Sequence, residues 1–244
     1  MEMLNFIFDA ASVAPGDFTG FTFFIGSVSM LAATVWFLMQ HGQVDKKFKD
    51  SMLVAALITG IAAVHYFYMR EQWVLTGESP TELRYIDWIL TVPLMVVEFA
   101  LLTGVGMRKL FWASVVMLVA GYFGESDVTG ILDAQWWGFI SGAAYFYMAY
   151  EVGCLTVFSD GAPTGAVGKA LNSASGKIPS AGRMLQWFVL VGWAIYPLGY
   201  LMGTDAGMWY EGMSNIALDM NVVYNVGDAI NKIGFGMAVW SAAR

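Results

Sequence analysis

Charge is what this sequence is poorest in. Only 13% of its 244 residues are Asp, Glu, Lys or Arg, about half the share of an ordinary soluble domain. A soluble fold of this size could not cover its surface with so few. Cysteine is almost missing. Cys154 stands alone, which excludes an internal disulfide framework and a cysteine-built metal centre. Histidine is limited to His41 and His65, so no metal site is expected. Positive charge is short as well. The formal net charge is −7, and a nucleic-acid binder needs a basic face; no nucleic-acid partner is expected. The first residues lack the basic start of a secretory signal. Glu2 stands there, and the apolar run Met3–Phe8 is short, although Ala10–Ala14 offers small residues for processing.

What is abundant is apolar. Hydrophobic residues make up 58% and aromatic ones 16%, which excludes disorder. An integral membrane protein of one domain, residues 1–244, follows, with the lipid bilayer as its first partner. A helix needs about 20 mostly apolar residues to cross. Seven stretches qualify: Phe18–Met39, Met52–Met69, Leu83–Thr103, Leu110–Phe123, Gln135–Phe158, Met184–Met202 and Ala217–Ala243. The expected fold is an all-α bundle of seven transmembrane helices. Residues 1–17 form an extracellular N-terminal segment. Residues 159–183, rich in Gly, Ser and Ala, read as a mobile cytoplasmic loop between the fifth and sixth spans. No internal repeat is evident.

Basic residues give the orientation. Lys46, Lys47, Lys49, Arg108, Lys109, Lys169, Lys177, Arg183 and Arg244 all fall on one side of a seven-span chain. The other side receives Arg70, with Glu71, Glu78, Glu82, Glu125, Asp127, Asp133, Asp205 and Glu211. Positive residues stay inside, so the N-terminus is outside and the C-terminus cytoplasmic.

A few charges remain within the spans. They are Arg84, Asp87 and Glu98 on the third, Asp228 and Lys232 on the seventh, with His65 on the second. A charge at the bilayer centre costs about 2.5–3.5 kcal/mol even on the lenient scale, and such groups mark pathways. Structural ion pairs are the plain alternative for any one of them. Eleven residues separate Asp87 from Glu98, close to three helical turns and roughly 16 Å of axis. Both therefore face one way, with Thr91 on the same stripe. Two carboxylates stacked in depth suit a proton path better than a site for a single ligand. Asp228 and Lys232 are spaced i, i+4 and share a face. A desolvated lysine can form a Schiff base with a carbonyl compound; a salt-bridged structural lysine fits the spacing as well. His65 lies at about the depth of Asp87 and is placed to couple to it. Trp88, Tyr145, Trp193, Tyr196 and Pro197 offer an aromatic pocket, whereas Trp136, Trp137, Trp209 and Tyr210 read as an interfacial belt. Pro93 and Pro197 are kink candidates.

These residues carry a resemblance. Arg84-Tyr85-Ile86-Asp87-Trp88 with Thr91-Val92-Pro93 and Glu98 resembles the third helix of microbial rhodopsins, specifically of proteorhodopsins. Trp193 through Tyr200 resembles their sixth helix. Tyr224-Asn225 through Asp228 to Asn231-Lys232-Ile233-Gly234 resembles their seventh, and His65-Tyr66 with Tyr68-Met69-Arg70 their second. The resemblance covers all seven spans. It implies all-trans retinal held by Lys232 as a protonated Schiff base. It implies Asp87 as primary proton acceptor and counterion, Asp228 as second counterion, and Glu98 as cytoplasmic proton donor. Arg84 orients charge on the release side, and His65 pairs with Asp87. The retinal lies between Trp88, Trp193 and Tyr196, with Tyr145 where many relatives have tryptophan. Met95 stands at the colour-tuning position, where an apolar residue implies green absorption. Gly138 stands where some relatives open a window for a carotenoid antenna, although glycine in a membrane helix is also a close-packing device.

The implied activity is light-driven outward proton pumping in a bacterial plasma membrane, an ion transporter rather than a metabolic enzyme. The Asp87–Thr91–Glu98 triplet separates this from sodium pumps, chloride pumps and many sensory members of the family. A photosensory receptor with a separate transducer is the alternative; the sequence to Arg244 offers no output domain of its own. The family forms pentamers or hexamers. Phe24 and Gln40-His41-Gly42 depart from the family pattern in the region that meets a neighbouring subunit.

Overall fold

A computed structural model describes residues 14–126, 130–158, 162–202 and 219–244. Nine α-helices are found among them, with no strand. They are α1 (Phe18–His41), α2 (Lys49–Thr76), α3 (Thr81–Thr103), α4 (Arg108–Ser126), α5 (Ala134–Val152), α6 (Ala166–Ser173), α7 (Ile178–Trp187), α8 (Ile195–Met202) and α9 (Met220–Ala242). The expectations for Asp127, Asp205, Trp209, Tyr210 and Glu211, and for residues 1–13, fall outside the described residues.

Local chemistry sets the ends. The Asp17 carboxylate accepts the Gly20 N–H at 2.7 Å and starts α1, and Asp219 does the same for α9 through Asn221 N–H at 2.9 Å; each satisfies a donor that the helix start leaves free. α2 stops at Gly77, whose φ of +71° is a left-handed cap that favours glycine.

The helices pack as a closed ring. α1 lies against α2, α2 against α3, α3 against α4 and α4 against α5, while α9 returns to touch α1, α2, α3, α7 and α8. The ring is inverted in polarity relative to a soluble protein. Phe18, Leu31, Trp112, Phe139 and Phe146 are more than half exposed, while Arg84, Asp87, Glu98, Asp228 and Lys232 are at most 1% exposed. An apolar exterior of this extent needs a lipid solvent. Four helical segments are long and apolar enough to cross a membrane: Phe18–His41, Lys46–Thr76, Thr81–Thr103 and Ile178–Leu201. The chain is thus an all-α, multi-pass membrane bundle. The shorter α4 and α5 and the longer α9 complete the ring. α9 is less apolar because Asn221, Asn225, Asp228, Asn231 and Lys232 line its inner face.

Three expectations need correction. The second span runs on to Thr76, which takes Arg70 into the helix and buries it. The segment 159–183 holds structure: α6 buries Val167 and Leu171, one helical turn apart, and α7 begins at Ile178. The sixth span is jointed upstream of Pro197. Residues Phe188–Gly192 form a π turn, and the Trp193 carbonyl, whose i+4 partner would be Pro197, accepts the Tyr196 N–H at 3.2 Å instead. Side chains satisfy the loosened carbonyls. Tyr145 Oη donates to Val189 and Leu190 at 3.0 Å each, and Asn231 Nδ2 to Gly192 at 2.9 Å.

Candidate retinal and proton-transfer site

The third helix turns its charges inward. Arg84, Asp87, Thr91 and Glu98 are buried, while Ile86 and Leu90 on the opposite face are exposed. α9 does the same with Asn221, Asn225, Asp228 and Lys232, spaced three or four residues apart. Where the two faces meet, Lys232 Nζ donates to Asp87 Oδ2 and, at 2.5 Å, to Asp228 Oδ2. Two anions for one cation leave the cluster one unit negative when all three are charged. Tyr196 Oη donates to the second oxygen of Asp228 at 2.8 Å and accepts from Asn231 Nδ2 at 3.3 Å.

His65 approaches the cluster from α2. Its Nδ1 stands 3.6 Å from Asp87 Oδ1, at ion-pair distance but beyond a hydrogen bond, and 3.0 Å from the Ile61 carbonyl. The sequence placed the Thr91 hydroxyl between the two carboxylates. It lies on that stripe, but it donates to the Asp87 backbone carbonyl at 2.8 Å, the back-bond of a serine or threonine within a helix.

Glu98 is set apart. It is fully buried on α3, and the buried Ser51 hydroxyl of α2 is the polar group beside it.

A cavity of about 520 Å³ opens beside the cluster, between α3, α4, α5 and α8. That is within the range of about 300–1,000 Å³ for small-molecule sites. Trp88, Tyr145, Trp193, Tyr196, Pro197 and Gly138 all line it. Met95 and Lys232 are buried, but they are not among its lining residues. Tyr196 joins the two regions, with its ring on the cavity and its hydroxyl on Asp228. Trp88 packs edge-on to Tyr196 at 4.7 Å, and Trp193 stacks on Phe235 at 6.3 Å. An apolar ligand fits this chemistry: an aromatic cavity is joined through Tyr196 and Asp228 to one buried amine.

Gly138 faces Tyr200. A Cβ added there would lie 2.5 Å from Tyr200 Cε1, so the glycine accommodates a tyrosine ring. The departures in the first span also have local roles. The buried Gln40 accepts the Trp240 indole N–H at 3.0 Å, and Phe24 lies under the Arg70 guanidinium at 5.7 Å.

Several site contacts escaped the sequence reading. Asn231 stands in the seventh-helix motif, but its bonds to Gly192 and Tyr196 do not follow from it. Asn221 was missed, although it lies seven residues, about two turns, before Asp228 on the same face. The Glu125 contact is another. Counted as an outer charge, it is buried and accepts the Tyr85 hydroxyl at 2.8 Å. Nothing local in the sequence links those two.

The bacteriorhodopsin-like protein family profile matches residues 17–244. A green-light absorbing proteorhodopsin from Gamma-proteobacterium EBAC31A08 is 41% identical over 235 residues, covering 93% of this chain and 87% of the relative. A blue-light absorbing proteorhodopsin from Gamma-proteobacterium Hot 75m4 is 42% identical, covering 93% and 86%. The crystal structure of a blue light-absorbing proteorhodopsin from Med12 superposes with a TM-score of 0.73 at 38% identity, covering 93% of this chain and 98% of that one. With the buried amine, its two carboxylates and the aromatic trough in place, the match over nearly the whole chain identifies it: this protein belongs to the bacteriorhodopsin-like family.

Proposed function

We propose that the protein is a retinal-binding, light-driven outward proton pump, green-absorbing, in a bacterial plasma membrane. One observation carries the reading. A buried lysine is clasped by two carboxylates at one depth, and a lone buried carboxyl lies about 16 Å deeper along the same helix. Lys232 holds retinal as a Schiff base, with Trp88, Tyr145, Trp193, Tyr196 and Pro197 around the chain of the ligand. Retinal supplies isomerisation on absorbing light. Met95, apolar and buried, accords with the green band, as does the likeness to a green-light absorbing relative.

The protein's own groups do the proton work. Asp87, in contact with Lys232 Nζ, is ionised in the dark and accepts the proton from Nζ. Asp228, fixed by Tyr196, stays ionised and keeps the lysine nitrogen charged at rest. Glu98, buried beside Ser51 with no ion pair among the described residues, is neutral in the dark and returns a proton toward Nζ. Arg84 and His65 adjust the charge around Asp87. The chain crosses seven times, N-terminus outside and C-terminus cytoplasmic, so Asp87 faces the exit and Glu98 the cytoplasm. The single domain assembles as a pentamer or hexamer through its apolar outer faces. A carboxyl at Glu98 favours pumping over the photosensory alternative.

Cells expressing the protein with retinal acidify the medium when illuminated, and an uncoupler abolishes the change. Illumination without acidification overturns the pump.

A further inference from the structure

The guanidinium of Arg84 is buried beside the site, 1% exposed. Nη2 donates to Asn221 Oδ1 at 2.9 Å, while Nε and Nη1 have no hydrogen-bond partner. The group lies over the Tyr224 ring at 4.9 Å and the Phe23 ring at 5.6 Å. Asn221 is itself well held. Its Oδ1 also accepts from Ser79 Oγ at 3.0 Å, and its backbone N–H donates to Asp219 at 2.9 Å. A neutral amide oxygen, fixed at the first turn of α9, is therefore the hydrogen-bonding tether of a buried positive charge.

The competing acceptors lie inward. Asp87 is one turn from Arg84 on α3, and Asp228 is two turns from Asn221 on α9. Asp87 is faced by His65 and Tyr66 of α2, Tyr196 of α8, and Asp228 and Lys232 of α9. Arg84 hydrogen-bonds to a neutral amide, whereas Lys232 donates to both carboxylates. We infer that Asn221 is a positioning residue that sets the distance between the Arg84 charge and Asp87, and so sets the acidity at which the pump can work. This rests on the pump reading above.

The physics gives opposite signs for two substitutions. Asn221→Ala removes the tether. A buried guanidinium with free N–H groups turns to the nearest anionic oxygens, which favours ionised Asp87. Asn221→Asp converts the tether to an ion pair, holds the cation outward and adds negative charge. The test is a spectroscopic acid titration of the retinal-reconstituted pigment, following the colour change that marks proton uptake by Asp87. A nearby opposite charge moves a carboxylate by about 1–3 pH units; a shift of about one unit is expected for the partial movement here. The midpoint falls in Asn221→Ala, rises in Asn221→Asp, and stays near the native value in Asn221→Gln. In an Arg84→Gln background Asn221→Ala moves nothing. Alanine and aspartate variants that shift the same way, or an alanine variant with an unmoved midpoint, overturn the inference. A native pigment without colour overturns the pump reading and this inference with it.

Discussion

The two halves of the bundle interior treat buried acid in contrary ways. In one half Asp87 and Asp228 share a lysine, and Asp228 takes a further bond from Tyr196. In the other half Glu98 is sealed into α3 with the Ser51 hydroxyl beside it and no ion pair among the described residues. The same functional group, buried to the same degree, is clasped by a cation in one place and set apart from cations in the other. Burial alone does not set the state of an acid; the available partners do. A pump needs both states at once, one group ready to take a proton and one ready to give it.

The contrast can be broken at several points. The largest effect belongs to Lys232→Ala, which removes the cation between the two clasped carboxylates. No visible band forms with retinal, and an absorption spectrum checks it; retained colour removes Lys232 from the pigment. Asp87→Asn comes next. It abolishes light-driven acidification and moves the band to the red, and a variant that still pumps overturns the acceptor role. Glu98→Gln touches the other half alone. Reprotonation slows by about 100-fold at neutral pH, the low end of general acid–base contributions, while the dark spectrum changes little. Flash photolysis with an unchanged decay would show that this carboxyl is not the donor.

Two smaller effects sharpen the comparison. Tyr196→Phe strips one bond from Asp228 and costs about 1–3 kcal/mol, the penalty for an abandoned buried acceptor; thermal bleaching of the pigment reports it. Gly138→Val drives a side chain into Tyr200 and costs about 1–3 kcal/mol of overpacking, again seen in bleaching. Reconstitution with a carotenoid is expected to give no energy transfer to the pigment, because Tyr200 takes the space beside Gly138. An excitation spectrum with carotenoid bands would assign Gly138 to an antenna window.

Much of the charged site is legible in the sequence. Asp87, Glu98, Asp228 and Lys232 are conspicuous because charges in apolar runs are rare, and helical spacing fixes which of them share a face. What escaped were contacts between neutral polar groups on different helices. Asn231 on the Gly192 carbonyl and Tyr145 on Val189 and Leu190 answer a backbone irregularity that no residue at Phe188–Gly192 announces. Pro197 pointed to the right helix, but the joint lies one to two turns earlier. α6 was hidden for the opposite reason. Gly, Ser and Ala around Ala166–Ser173 suggest a loop, and three buried residues, Val167, Gly168 and Leu171, tie that short helix to the bundle.

The π turn at Phe188–Gly192 has a mechanical consequence. It divides one membrane rod into two arms, α7 and α8. The α8 arm carries Tyr196 and Pro197, which belong to the cavity and the carboxylate–lysine cluster. The α7 arm carries none of the charged groups in the site. A joint of this kind interrupts the regular hydrogen-bond ladder that couples one turn to the next, so strain on one arm need not be passed to the other, and the hydroxyl of Tyr145 and the amide of Asn231 are the pins that hold it.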